Sequence, residues 1–463
     1  MWQLFPNPPK RGMACILEMG EIYGDCVHLN VFGKSIVLLN SFEAANELLN
    51  FRSALYSDRP RLVMAGDMIG FDRLLGLIPY SSVFRKLRRL VHKELGKPAL
   101  RTYNSVQERD SRILMENLIL RKGLDVDLIR HYSGSVILKV AYGYQTEPLN
   151  DPLVSLSKQV MKAFSLASQP GVWAVDLVPW LRFIPKWFPG AKFKRTAAQW
   201  KIMLNTVIET PFQWAETHQE SHSLSKPNFL SSAFADVDGP LTGEKRDLLL
   251  CASGSLFGGG VDTTSATISW FFLAMALHPD IQLHGQQEID RVVGRQRLPE
   301  LCDRPSLPYL ECILLEVLRW NPAGPLSLPH QVTQNDYYRG FCIPKGTIVI
   351  PNVWSMVHDP HLYPDPYQFR PERFLNNKAA ADRIQVVFGF GRRACPGVNL
   401  AKPTVFAAIA TALATCEIGP PVGLDGHPLL ADFSDLSGSI NHPKPFRCSI
   451  KPRFEHHLSD IVS

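Results

Sequence analysis

The feature that most restricts the fold is a glycine-rich segment, residues 388–397, which reads FGFGRRACPG and contains Cys395. Glycine permits tight turns and lets the backbone approach a flat ligand where a Cβ atom would collide. The apolar run over residues 398–414 predicts a helix whose first amides face the cysteine sulfur. Their partial positive charge is expected to lower the thiol pKa, and Pro403 is expected to kink the helix. The pattern predicts a buried thiolate held against a metal.

This segment resembles the signature of the cytochrome P450 family, Phe-x-x-Gly-x-Arg-x-Cys-x-Gly. Its fixed positions are matched by Phe388, Gly391, Arg393, Cys395 and Gly397. The resemblance implies that these residues bind haem b, with the Cys395 thiolate as the ligand of the iron. Such a ligand donates electron density to iron and favours cleavage of the O–O bond. The resemblance also implies that Arg393 pairs with a haem propionate, because guanidinium and carboxylate match bidentately.

A second feature is the apolar stretch 248–277, whose only charged residue is Asp262. It contains the run GGGVDTT at residues 258–264, and each glycine inside a helix costs about 1 kcal/mol relative to alanine. The family has a similar run in a long helix that crosses the haem. The resemblance implies that Asp262 and Thr263 are catalytic and relay protons to dioxygen at the iron. A membrane-spanning helix is the alternative, because the stretch can cross a bilayer of about 30 Å.

Two weaker motifs support the resemblance. Glu316 and Arg319 lie three positions apart on a predicted helix, where their side chains can interact, and the segment FRPERF that follows contains Arg373. The resemblance implies that these three residues form an ionic triad that stabilises the haem-bearing core. By themselves, the first two would be interpreted as a surface ion pair.

Two other residues resemble propionate-binding positions of the family. Arg88 lies in FRKLRR, which resembles the family's Trp-x-x-x-Arg helix, and His330 follows a proline-rich stretch that lines the substrate pocket in the family. Phe84 stands where the family has tryptophan, so the indole N–H donor is lost. The other basic residues of this helix are either a solvated face or a docking surface for an electron-donating flavoprotein.

The chain as a whole is predicted to be one mainly α domain with a minor β part, covering residues 1–463. A length of 463 residues exceeds the usual limit of roughly 250–300 for one core, but no Ser/Gly linker separates two cores. Strand patterns at residues 26–31, 35–39 and 346–350 bracket a helical middle. Nine single cysteines without a CxxC pair favour a reducing compartment. The diffuse net charge of +6 does not favour a nucleic-acid partner.

The sequences of several segments most resemble those of fungal microsomal members of the family, as in SDRPR at residues 57–61 and PKGT at residues 344–347. From its first residues we expect neither a signal peptide nor the family's apolar anchor. The resemblance implies the cytosolic face of the endoplasmic reticulum, or the cytoplasm if the absence of the anchor is genuine. Residues 172–189 are rich in Trp, Phe and basic residues, which suits either a peripheral membrane contact or a core-packing loop.

The resemblance therefore implies a haem-thiolate monooxygenase that takes electrons from NADPH-cytochrome P450 reductase and inserts one atom of dioxygen into a small apolar substrate. Terpenoid and polyketide scaffolds of fungal secondary metabolism are the expected substrates. Residues 436–440 resemble a substrate-contacting turn. The alternatives are a peroxygenase or rearrangement enzyme using the same haem, and an inactive haem-binding relative.

Overall fold

Helices dominate the computed structural model, which describes residues 20, 22–31, 33–96, 100–169, 171–218, 228–235, 241–420, 422, 434–435 and 439–454. The main helices are α1 (Ser82–Glu94), α2 (Asn104–Leu120), α3 (Val126–Tyr142), α4 (Pro152–Ala167), α5 (Lys192–Thr217), α6 (Phe229–Ala235), α7 (Gly243–Leu277), α8 (Pro279–Val292), α9 (Pro308–Trp320) and α10 (Val398–Thr415). Shorter helical segments are Phe42–Ala45, Ser53–Tyr56, Ala174–Leu177, Val353–Val357 and Lys378–Arg383. The predicted mainly α fold class is confirmed.

The strands form small sheets that join distant parts of the chain. The largest has the order β1 (Cys26–Val31), β2 (Lys34–Leu39), β6 (Ile348–Pro351) and β3 (His330–Gln331). The first two strands form the predicted antiparallel hairpin, and β2 runs parallel to β6. The smaller pairs are β4 (Asp336–Tyr338) with β5 (Phe341–Ile343), β7 (Cys416–Ile418) with β10 (Ile450–Pro452), and β8 (Ser434–Asp435) with β9 (His442–Pro443). Early and late segments are therefore interwoven.

The long helix α7 lies at the centre of the helical part. Its 35 residues span roughly 50 Å, and it packs against α1, α3, α5 and α10. Most of its side chains between Leu249 and Ala276 are buried by these neighbours. Burial inside the protein explains the apolar composition, so the membrane-spanning alternative for this helix is wrong. Among the described helices, only α10 is long and apolar enough to span a membrane, and 72% of it is buried inside the protein.

Helix α10 confirms the helix predicted after the cysteine. Pro403 lies inside α10, but the helix continues through it to Thr415. A proline supplies no N–H to the preceding turn. Close to the proline, Gln107 Nε2 donates to the Leu400 carbonyl at 3.1 Å and Tyr132 Oη donates to the Thr404 carbonyl at 2.8 Å. Side chains of α2 and α3 thus bind this helix around the proline.

The ionic triad is buried, which corrects the interpretation as a surface pair. Glu316 and Arg319 are fully buried in α9. The Glu316 carboxylate accepts from Arg319 Nε at 2.6 Å and from Arg373 Nε at 3.1 Å. The remaining guanidinium N–H groups donate to backbone carbonyls, including those of Val357 and Pro366. The triad therefore fixes the chain after α9 to that helix, in line with the structural role implied by the family resemblance.

Candidate active site

A mostly apolar, partly open cavity of about 440 Å³ lies between α7 and the cysteine loop. Its walls come from α1, α3, α4, α5, α7, α9 and α10, so many distant segments must fold together to form it. Apolar side chains such as Phe71, Phe164, Leu204 and Phe257 line much of the cavity. The sulfur-bearing residue Cys395 lines the same cavity. The arrangement brings one nucleophilic atom into a space suited to flat or bulky apolar ligands.

Two glycines shape the loop that presents Cys395. Gly389 and Gly391 have φ angles of +81° and +52°, a region that other residues rarely adopt. A Cβ atom on Gly391 would also overlap the carbonyl oxygen of Leu49. The Cys395 amide donates to the Phe388 carbonyl at 2.7 Å, which closes the loop. Two of the three glycines therefore have the predicted backbone role, whereas Gly397 has an ordinary φ and precedes the first residue of α10.

The pKa of Cys395 departs from the prediction. The amides of Gly397 and Val398 and the charge of Arg88 lower it, as expected for a thiol at a helix N-terminus. Burial in the apolar cavity raises it by more, so the net pKa lies above the ordinary value. The sequence-based expectation of a lowered pKa is therefore wrong, because burial outweighs the helix N-terminus. Coordination by a metal ion deprotonates a thiol directly, so the helix N-terminus assists the thiolate but does not create it.

Glycine occurs at residues 258–260 of α7 for two different reasons. A Cβ atom on Gly260 would lie 3.0 Å from Ile137 of α3, so this position is small because the helices pack closely. Gly258 and Gly259 have no neighbour within 4 Å of such an atom and instead line the cavity. Their missing side chains leave open space along α7 on the cavity side. Thr263 also lines the cavity, and its hydroxyl donates to the Gly259 carbonyl at 2.7 Å.

Asp262 does not line the cavity, although it adjoins Thr263 in the sequence. Its Oδ1 lies 3.1 Å from Arg130 Nη2, and its Oδ2 lies 3.3 Å from His442 Nε2. Burial raises the pKa of Asp262, but the hydrogen bond and charge of His442 and those of Arg130 outweigh burial and place this pKa below its usual value. The side chain is therefore a buried carboxylate held by two partners.

Three arginines meet at one edge of the cavity: Arg59, Arg88 and Arg393. Burial, together with the charge of Arg393, lowers the pKa of Arg59 to about 9, and Asp58 offsets only part of this effect. Burial likewise lowers the pKa of Arg393 to about 10, where Asp58 opposes the shift and the charge of Arg88 adds to it. Buried like charges are unfavourable unless they are paired with anions. This edge is therefore built for an anionic ligand group.

The arginines are held in place by backbone carbonyls. Arg393 donates to the carbonyls of Ser57 at 2.7 Å, Leu75 at 3.3 Å and Ile78 at 2.8 Å. Arg59 donates from Nε and Nη1 to the carbonyls of Gly76, Leu328 and Pro329, at 2.7–2.9 Å. Neutral carbonyls fix the guanidinium groups without cancelling their charge. Sequence reasoning missed Arg59 as a binding residue, although SDRPR was noted as a family-like segment.

Haem fits this set of residues. The cavity offers a sulfur ligand, apolar walls for the macrocycle and an edge of only partly compensated arginines for the propionates. Phe388, which was predicted to contact the cofactor, also lines the cavity. Phe84 lies under Arg393, with the guanidinium carbon 3.9 Å from the ring centroid. The phenylalanine that replaces the family's tryptophan thus positions an arginine through a cation–π contact instead of donating a hydrogen bond.

The position of His330 bears less directly on its predicted contact with a propionate. It is buried beside Arg59 and Arg393, and its Nδ1 lies 2.7 Å from the Tyr56 carbonyl. Burial and the two arginine charges hold its pKa well below the usual range. An imidazole that donates from Nδ1 has no proton on Nε2 when neutral, so it can donate to a propionate only as a cation. The predicted donor role of His330 stays a prediction.

The predicted substrate turn at residues 436–440 is described only at its end, because residues 436–438 lie outside the described residues. Ser439 and Ile440 line the cavity. Ser439 contacts the end of α4, where its amide donates to Ser165 Oγ at 3.1 Å and its hydroxyl lies 3.1 Å from Ser168 Oγ. Two cavity walls that are distant in sequence therefore meet here.

The fold and this site together define a haem-dependent oxidoreductase. A family model described as cytochrome P450 matches residues 10–448. The chain is 42% identical over 443 residues to cytochrome P450 monooxygenase 105 of Postia placenta, covering 96% of this chain and 85% of that protein. It is 39% identical to cytochrome P450 monooxygenase claR of Ampulloclitocybe clavipes, covering 96% and 83% respectively. The chain belongs to the cytochrome P450 family and is a monooxygenase with a cysteine-ligated haem.

The fold has a counterpart among solved structures. A zebrafish cytochrome P450, determined with progesterone, has a TM-score of 0.78 and 23% identity, covering 96% of this chain and 100% of that chain. At that identity the likeness shows the fold alone. The family in general also implies a redox partner, an organic substrate and dioxygen.

Proposed function

We propose that residues 1–463 form one monooxygenase domain that oxidises a small apolar compound of fungal secondary metabolism, with a terpenoid or polyketide scaffold, using dioxygen and NADPH. The observation that carries the proposal is that Cys395, the open glycine positions of α7 and the arginine cluster line one apolar cavity. Apolar walls favour a substrate that is itself apolar, because its transfer from water releases free energy in proportion to buried area.

In this proposal Cys395 binds the haem iron, and Arg59, Arg88 and Arg393 bind the propionates. Phe388, Gly391 and Gly397 shape the loop around the sulfur, and His330 contributes at the propionate edge. When bound, the haem supplies the activation of dioxygen and the transfer of one oxygen atom to the substrate. The residues of this chain orient the cofactor and exclude water.

Asp262 and Thr263 are proposed to deliver protons. The Thr263 hydroxyl donates to a helix carbonyl, so its oxygen can still accept a hydrogen bond from a group in the cavity. Asp262 lies next in sequence and is linked through Arg130 and Asp127 to the protein surface. The pair thus joins the cavity to a polar region behind α7.

The reductase is proposed to dock on a basic surface made of exposed side chains from α1 and the cysteine loop, here called the basic face: Arg85, Arg89, His92, Lys93 and Arg392. These side chains line one surface pocket, and Arg88 lines both this pocket and the internal cavity. Complementary charge accelerates the docking of an acidic partner and makes it sensitive to salt. Electrons would therefore enter on the side of Cys395.

We propose a peripheral membrane contact at residues 172–189 and, from the family resemblance, a location on the cytosolic face of the endoplasmic reticulum. Trp180, Phe183 and Trp187 are 78%, 65% and 81% exposed. Exposed aromatic side chains beside basic residues suit a bilayer interface. Replacing Trp180 and Trp187 by serine should reduce flotation of the protein with phosphatidylcholine vesicles, whereas replacing the exposed Ile202 of α5 should not.

The central test is spectroscopic. The reduced protein with carbon monoxide should show the red-shifted Soret band of thiolate ligation, and Cys395→Ser should remove it. A wild-type protein without this band would refute the assignment of Cys395. Mass spectrometry of products from cells that express the chain with a reductase would identify the substrate. Turnover with hydrogen peroxide but not with NADPH and reductase would favour a peroxygenase, and absence of both would indicate an inactive relative.

A further inference from the structure

The partners of Asp262 differ in whether they can transfer a proton. Arg130 holds Asp262 through a guanidinium group, which serves in proteins as a fixed hydrogen-bond donor and not as a proton-transfer group. An imidazole gains and loses a proton near neutrality. Of the two described side chains that contact this carboxylate, only His442 can therefore pass it a proton.

His442 is held in place by the fold. It begins β9, which packs against α7, and its neighbour Asn441 is fully buried. Trp270 of α7 donates from Nε1 to the backbone carbonyl of Asn441 at 3.0 Å. The backbone N–H of Asn441 donates to the Ala323 carbonyl at 2.9 Å. These bonds fix the imidazole beside Asp262, yet its side chain remains 26% exposed. The residue therefore lies between solvent and the buried carboxylate.

We propose that His442 is the proton donor that refills Asp262 during dioxygen reduction, an inference that rests on the role proposed above for Asp262. In this step the Nε2–H bond of the imidazolium breaks and an Oδ2–H bond forms. The neutral imidazole then takes a proton from solvent. The proton on Asp262 then passes by way of the Thr263 hydroxyl, which lines the cavity, to dioxygen, whose electrons come from NADPH through the reductase.

The charged groups around His442 are consistent with this route. Asp262 of α7 faces it directly, and Arg130 of α3 binds the other oxygen of the same carboxylate. Across the β8–β9 pair, the backbone partner of His442 is Asp435. Arg130 is itself paired with Asp127 at 3.2 Å, so part of its charge is compensated outside the Asp262 site.

The first test detects the pair without turnover. Infrared difference spectra of the ferric holoenzyme, recorded as a function of pH, should contain a carboxyl band that Asp262→Asn removes. In His442→Gln this band should persist to higher pH, because the carboxylate has lost one of the two partners that lower its pKa. An unchanged titration of the band would refute the pair. If the glutamine variant does not bind haem, His442→Asn serves in its place.

The second test measures proton delivery. Dioxygen consumption by the substrate-free holoenzyme with NADPH and reductase should fall about tenfold in His442→Gln, since positioned acid–base groups contribute roughly 10²- to 10⁴-fold and water offers a slower route. The solvent deuterium isotope effect should increase. Peroxide-driven oxidation of guaiacol should stay within about twofold of wild type, because hydrogen peroxide already carries the two protons that dioxygen must acquire. His28→Gln, an exposed histidine on β1, is the control.

The outcomes separate the two proposals. The relay is supported if His442→Gln consumes dioxygen more slowly than wild type. The double variant with Asp262→Asn should then be no slower than Asp262→Asn alone. Equal losses in the NADPH and peroxide reactions would show a merely structural role and overturn it, as would an unchanged isotope effect. If the wild type has the carbon monoxide band but consumes no dioxygen with NADPH, the proposed monooxygenase function itself fails and the relay fails with it.

Discussion

Replacing Glu316 by glutamine tests how far the buried triad supports the haem-binding core. Glu316 is fully buried and accepts from both nitrogens of the Arg319 fork at 2.6 and 2.8 Å, from Arg373 at 3.1 Å and from the Arg370 amide at 2.7 Å. Glutamine has nearly the same shape, but it removes the charge and turns N–H donors toward guanidinium donors. Two buried arginines would then lack their carboxylate.

The expected loss is large because desolvated charges remain behind. Removing one partner of a buried ion pair typically costs about 3–5 kcal/mol, whereas an exposed pair contributes roughly 0–1 kcal/mol. Glu311→Gln is the matched control, because Glu311 lies on the same helix and pairs with Arg304 at 2.8 Å where both side chains are partly exposed.

Urea denaturation of the haem-loaded proteins, followed by far-ultraviolet circular dichroism and by Soret absorbance, measures both losses. We expect a markedly lower midpoint and poor haem retention for the Glu316 variant, and values near wild type for the Glu311 variant. Equal midpoints for the two variants, or a loss below about 1 kcal/mol for Glu316→Gln, would refute the reasoning that the triad is held by desolvated charge.

Two other substitutions test the cofactor site. Arg59→Met should weaken haem binding to the apoprotein by about tenfold or more, since a charge-assisted hydrogen bond contributes roughly 1.5–3 kcal/mol. Soret titration measures the affinity, and Arg61→Met, at an exposed arginine, is the control. Equal affinities of the two variants for haem would contradict the propionate-binding role of Arg59. Gly391→Ala should prevent haem incorporation, because a Cβ atom would overlap the Leu49 carbonyl. Gly294→Ala also has a positive φ but open space around it, so it should lose some stability and still bind haem with the red-shifted carbon monoxide band.

Local chemistry explains why much of the site could be predicted from the sequence. The FGFGRRACPG segment requires glycines at positive φ, a cysteine and a following helix, and all of these requirements lie within a few residues of each other. The Glu316–Arg319 pair has helical spacing. Such patterns are set by neighbours along the chain, so they predict the loop, the helix and the ion pair before any tertiary contact is known.

The prediction that failed depended on surroundings that the sequence does not display. The pKa of Cys395 is set by competition between nearby amides and burial in an apolar cavity, and only packing decides that burial prevails. At Pro403 the helix α10 continues to Thr415, with side chains of α2 and α3 bound alongside, and the expected kink stays a prediction. Local rules identified the cysteine loop but not the balance between its amides and burial.

By itself the sequence determined the cysteine loop, the Glu316–Arg319 pair and the central helix, because each depends on short-range spacing, and the family resemblance of these motifs implied the class of chemistry. Only the tertiary structure decided which charges share a space. It placed Arg59 with Arg393, which lie 334 positions apart in the sequence, and it set His442 against Asp262 across α7 and β9. Electrostatic interactions and burial act over a few ångströms of space regardless of sequence distance, so these partners could be found only in the folded chain.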